Sequence, residues 1–109
     1  MTQARMDWKW MELTLDGHAG AGEKGQDLVC AAISMLSQAL VTALQELEHK
    51  TGCTRVKWSG TPEEGRLKVR ATVNWTNLTL VRAYFEVAVT GLRMLGERYP
   101  EYIRLEEEK

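Results

Sequence analysis

Between Asp27 and His49 apolar side chains recur at steps of three and four residues: Val29, Ile33, Leu36, Leu40, Leu44 and Leu47. That spacing gathers them on one stripe of an α-helix running over about those bounds. A helix this long must lay its stripe against a second layer, and a chain of 109 residues has room for one core. Ala31, Ala32, Ala39 and Ala43 add helix propensity and permit close packing. Gly52 stands just past the end as a stop.

The second layer is legible as strands. Met11, Leu13 and Leu15 alternate with Glu12, Thr14 and Asp16, which is the pattern of a half-buried strand, and Thr2 to Met6 reads as its hairpin partner with a turn near Asp7. Trp8 and Trp10 then fall on the side of Glu12, either as interface aromatics or as a second packed face. Downstream, Thr54 to Ser59 carries Val56 and Trp58 on one face. Arg66 to Val73 sets Leu67, Val69, Ala71 and Val73 against Arg66, Lys68, Arg70 and Thr72, and Gly60 to Gly65 supplies the hairpin loop between them. A second helix is expected from about Asn77 to Arg98, capped by Asn77 or Thr76, with Leu78, Val81, Phe85, Ala88, Leu92 and Leu95 apolar. Pro100 stops it, and Tyr102 to Leu105 could form a short edge strand. Hairpins dominate this order. The expectation is an α+β two-layer sandwich, a single domain over residues 1–109, with a mainly antiparallel sheet and both helices packed on one face.

Composition excludes little but points consistently. A net charge of −1 gives no global reason for nucleic-acid or membrane-surface binding. The stripe Arg66, Lys68, Arg70 reads most simply as the solvated face of a strand. No apolar run approaches the roughly 20 residues that span a bilayer, and Met1 to Asp16 lacks the basic start and apolar stretch of a signal peptide. Cytoplasmic residence is therefore expected, with Cys30 and Cys53 reduced. Two cysteines and two histidines at irregular spacing make no zinc pattern, so neither metal nor cofactor is called for. Asn74-Trp75-Thr76 and Asn77-Leu78-Thr79 match a glycosylation sequon, yet in that compartment they read as helix-start residues. Met35 is assigned to the core.

One pair of residues carries chemistry. Cys30 is placed in the first turn of the long helix, where unpaired N–H groups and the macrodipole favour an anion and so the thiolate. The same N–H groups can meet an oxyanion. His18 precedes a loop with glycine at 20, 22 and 25 that leads into this helix, so it can fold back and take the thiol proton. The plain alternative is a small buried cysteine and a surface histidine. Cys53 reads as structural, and His49 as a helix C-terminal residue that gains from the dipole when protonated.

Gly17-His18-Ala19-Gly20, followed by Gly25-Gln26-Asp27-Leu28-Val29-Cys30-Ala31-Ala32-Ile33-Ser34, resembles the ribosomal-processing cysteine protease family Prp. The tail Tyr99-Pro100-Glu101-Tyr102-Ile103 is also similar to the family's end. The resemblance implies a homodimeric cysteine endopeptidase that removes an N-terminal extension, after a Phe-containing motif, from large-subunit ribosomal protein number twenty-seven. Phage-encoded relatives act on capsid or scaffold protein. It implies Cys30 as nucleophile and His18 as general base. Gly17 would allow the turn that presents His18, with Asp27 and Ser34 in supporting roles. Ala19, Gly20, Ala21 and Gly22 become candidates for contacting substrate. The family often reads Gly-His-Ala-Gly-Tyr-Ala where this chain has Ala21-Gly22, which bears on the choice of substrate more than on the chemistry. A non-catalytic dimeric binding module and an RNA-associated protein are the rival readings.

Overall fold

Alternation along three segments decides the sheet. Thr2, Ala4 and Met6, then Leu13 and Leu15, then Leu67, Val69 and Ala71 are buried, while the residues between them face outward. The computed structural model describes residues 1–17, 24–52 and 54–109, with the backbone alone at 24–27 and 63. Its elements are β1 (Thr2–Asp7), β2 (Glu12–Asp16), α1 (Lys24–Thr51), β3 (Arg55–Thr61), a 3-10 turn (Pro62–Glu64), β4 (Arg66–Thr72), α2 (Leu78–Arg98) and β5 (Ile103–Glu108). The sheet order is β3-β4-β2-β1-β5. All neighbours pair antiparallel except β1 and β5, which run parallel. Both helices cover one face, so the expected α+β two-layer sandwich is what the chain adopts.

The core is the expected stripe of α1 (Val29, Ile33, Leu40, Leu44, Leu47) together with Val81, Phe85, Ala88, Val89 and Leu92 of α2 over the strand faces. By length and composition Leu28–Thr51 is apolar enough to cross a bilayer, contrary to the reading that no segment is. Its stripe is spent on the sheet, which makes it a core helix. Gly91 lets the helices close up: a Cβ there would meet Leu36 Cδ2 at 2.7 Å.

Several local expectations are corrected. Met35 is 67% exposed, because it lies off the stripe on the outward side of α1. Val73 and Leu78 are exposed too, past the ends of β4 and of the buried part of α2. Trp8 and Trp10 do not share a side. Strand alternation stops at Asp7, whose Oδ1 accepts from the amides of Lys9 and Trp10 at 3.1 Å each, and the turn it builds buries Trp8 while leaving Trp10 outside between Lys9 and Arg70. Asn77 holds the N-cap position of α2 but makes no capping bond with its side chain. Its Oδ1 turns back to accept from Asn74 N at 2.8 Å, while Asn74 Oδ1 accepts from the amides of Thr76 and Asn77.

The edge strand expected over Tyr102 to Leu105 runs further, taking in Glu106, Glu107 and Glu108. β5 extends through Glu108, where Trp8 N donates to the Glu108 carbonyl at 2.9 Å. Arg5 pairs with the Glu108 carboxylate. Glu107 accepts from Trp8 Nε1 and from Arg93 Nη2, each at 2.9 Å. The Arg93 bond, then the Trp8 bond, hold the Glu107 carboxyl below its ordinary range. A carboxyl lowered in the folded state adds stability above the ordinary carboxylate range, about pH 4.3, and loses it as pH falls through its folded value. Glu107→Gln should therefore flatten the acid limb of a plot of unfolding free energy against pH. The loss at neutral pH should be on the order of 1 kcal/mol, kept small by the half-exposed Arg93.

Candidate active site

Helical phase places Cys30. Val29 and Ile33 are buried, one residue before it and three after, so Cys30 falls on the flank of the stripe and is half-buried against the core. It opens onto a recess of about 30 Å³ lined by Thr2, Leu15, Gly17, Ile33, Pro62, Gly65 and Arg66. Among these Arg66 alone carries a charge. The thiol is free.

α1 starts at Lys24, three residues before the expected Asp27, which puts Cys30 in the second turn rather than the first. The macrodipole acts mainly within the first turn, so that part of the argument for an anion weakens. The Cα–Cβ bond of a helical residue tilts toward the N-terminus, however, which inclines Cys30 toward the first turn.

Gly17 stands at the edge of this recess. It ends β2 at φ 89° and its amide donates to the Gly65 carbonyl at 2.8 Å. A Cβ there would stand 2.5 Å from the Met1 carbonyl oxygen. Only glycine fits both the backbone angle and the space. Ser34 follows Cys30 by one helical turn, and its Oγ accepts from Gln38 Nε2 at 2.7 Å. His18, Ala19, Gly20, Ala21, Gly22 and Cys53 lie outside the described residues, as does the Asp27 side chain. His49 is exposed in the last turn of α1, as expected. Among the described residues no cluster of His, Cys, Asp and Glu could hold a metal ion.

Sequence reasoning missed the far wall of the recess. Pro62, Gly65 and Arg66 belong to the β3–β4 hairpin, which reads as an ordinary loop until the pairing of Asp16 with Arg66 brings its end beside Gly17. Arg66, Lys68 and Arg70 otherwise behave as a solvated strand face, registered against Asp16, Thr14 and Glu12.

A half-buried thiol at the seam of helix and sheet, open to a narrow recess, suits covalent acyl transfer, the chemistry of cysteine peptidases. Comparison with known families agrees. The family model described as Cysteine protease Prp matches residues 1–104. The chain belongs to that family and is a cysteine peptidase. Two solved structures of the ribosomal processing protease Prp from S. aureus share its fold at 24% identity. One, with a substrate peptide, superposes with a TM-score of 0.79, and the other, with a covalently linked product peptide, with 0.77; each covers 99% of this chain and 100% of that one. SMU.848 from Streptococcus mutans is 30% identical, with a TM-score of 0.73, over 98% of this chain and 91% of that one. Comparison with curated proteins found no match.

Gly17→Ala should destabilise the protein by about 2 kcal/mol or more, since the positive φ alone costs a side chain about 1–2 kcal/mol and the Met1 carbonyl must also move. Denaturant unfolding checks this; a midpoint equal to wild type would show that the β2 end relaxes freely.

Proposed function

We propose that the protein is an endopeptidase of the cytoplasm that removes an N-terminal extension from a protein substrate, with Cys30 as nucleophile and His18 as general base. The observation that carries this reading is that Gly17, the residue before His18, lines the same recess as Cys30. The chain therefore enters the His18 segment at the mouth of the thiol site. His18 takes the thiol proton, and the thiolate adds to the scissile carbonyl. The resulting oxyanion is met by first-turn amides of α1. The C–N bond breaks as His18 returns the proton to the leaving amine, and water then hydrolyses the thioester to free the acid and the thiol. Asp27 and Ser34 support the helix start and the row beside the thiol. The loop Ala19, Gly20, Ala21, Gly22 contacts substrate. Large-subunit ribosomal protein number twenty-seven is the proposed substrate, supported by the description of the S. aureus relatives as ribosomal processing proteases.

We propose further that the working form is a homodimer. Leu28 and Met35 of α1 and Val87 and Met94 of α2 are each more than 60% exposed on the helix layer, an apolar surface of the kind that monomers seldom leave uncovered.

Cys30→Ala should abolish cleavage of a peptide with a Phe-rich extension, and His18→Ala should lower kcat/KM by about a hundredfold or more. Cleavage by Cys30→Ala at the wild-type rate would sink the reading. Selective alkylation of Cys30 over Cys53 at neutral pH, lost in His18→Ala, separates a peptidase from a binding module. Met35→Asp should shift the protein to monomer in sedimentation equilibrium while circular dichroism shows the monomer still folded, as Met35 is 67% exposed.

A further inference from the structure

Trp58 is 48% exposed on the core face of the sheet, although its register neighbours Val69, Ala71 and Leu67 are all buried. The reason is the row of α1 residues above it. From Cys30 this row runs through Ser34, Gln38, Thr42 and Gln45 at helical steps of three and four, and it turns polar where the stripe beside it stays apolar. Between this row and β3 lies a groove of about 440 Å³ lined by Gln38, Val41, Thr42, Gln45, Trp58, Gly60, Thr61, Pro62 and Leu67. None of them is charged.

This groove leads to the thiol. Pro62 lines both it and the Cys30 recess, and the Ser34–Gln38 hydrogen bond joins the two along the helix. Its outer wall is a sheet edge, since among the described residues β3 pairs with β4 alone. Val56 N donates to Glu48 Oε2 of α1 at 2.8 Å instead of to β4. By strand alternation the next outward-facing amide and carbonyl belong to Trp58.

We infer that the groove is the distal part of the substrate site: an extended, uncharged stretch of the substrate adds to the β3 edge at Trp58 and lays alternate apolar side chains on its indole. This rests on the reading of Cys30 as nucleophile. Gln38 and Gln45 stand about 12 and 22 Å along α1 from Cys30. An extended chain covers about 3.3 Å per residue, so the bound stretch lies about four to seven residues from the scissile bond. Main-chain pairing supplies affinity there and the uncharged lining supplies selection.

Hydrogen exchange on the Cys30→Ala protein with a peptide of about fourteen residues, uncharged and Phe-containing ahead of the scissile bond, tests this. Saturating peptide should protect the Trp58 amide. Trp58→Ala should weaken binding by about tenfold or more, and Trp58→Phe should restore most of it. In the wild-type background Trp58→Ala should abolish the advantage of the long peptide over one trimmed beyond four residues from the scissile bond. An equal unfolding midpoint confirms that the variants fold. Absence of binding, protection confined to other segments, or unchanged affinity in Trp58→Ala overturns the inference. Because binding is read without cleavage, a peptide that protects Trp58 but is not cut by wild type leaves the groove assigned and overturns the catalytic reading instead.

Discussion

The burial of one stripe of α1 on the sheet governs the molecule. Val29, Ile33, Leu40, Leu44 and Leu47 are each less than 6% exposed, and fixing them fixes the rotation of every other residue on a helix of 28 residues. Cys30 is neither in the core nor in solvent because that rotation puts it on the flank, 100° from Val29. The same rotation turns Met35 and Leu28 outward and aligns Ser34, Gln38, Thr42 and Gln45 over β3. Truncating Leu44 or Ile33 to alanine would cost about 2–5 kcal/mol of packing in the stripe that sets this phase.

Periodicity in the sequence makes most of this frame legible. α1, α2, β2 and β4 are expected within a few residues, since each repeats its own period long enough to outweigh local noise. β5 is not, beyond its first residues. Glu106, Glu107 and Glu108 carry no apolar alternation, and they become strand only through distant partners: the Trp8 amide, the Trp8 indole, Arg5 and Arg93. The turn near Asp7 is expected, but not its form, which parts Trp8 from Trp10, and for a related reason. Its signal is a single carboxylate accepting two amides, and no hydrophobic pattern announces that. Met35 shows the opposite failure, where an apolar residue on a mostly apolar helix is assigned inward although two sides of that helix are apolar and only one is filled.

For the site, the motif around Cys30 carries more than its position does. Placing the thiol in the first turn gives the dipole too much weight, because α1 begins three residues before the start expected from its apolar stripe. Gly17 is different. Its need to be glycine follows from the positive φ and from the Met1 carbonyl, which is distant in sequence and is brought there by the pairing of strand ends. Pro62, Gly65 and Arg66 reach the recess by that same convergence.

The three long faces of α1 thus divide its labour by polarity. The apolar stripe is spent on the fold. A second apolar side is left outward by the fold, the one proposed to join two copies, and the uncharged polar row looks into the groove over Trp58. The contrast with the opposite face of the sheet is informative. There Arg66, Lys68 and Arg70 run beside Asp16 and Glu12, a mixed-charge surface that water solvates well and that has little to offer an apolar peptide. On the helix side, charge is absent for the length of the groove, and an extended chain can exchange water for a strand edge without burying an ion. Burying an unpaired charge costs far more than one hydrogen bond returns. A groove built this way rejects charged stretches by desolvation and accepts neutral ones by pairing, so selection lies in what the wall lacks as much as in what it presents.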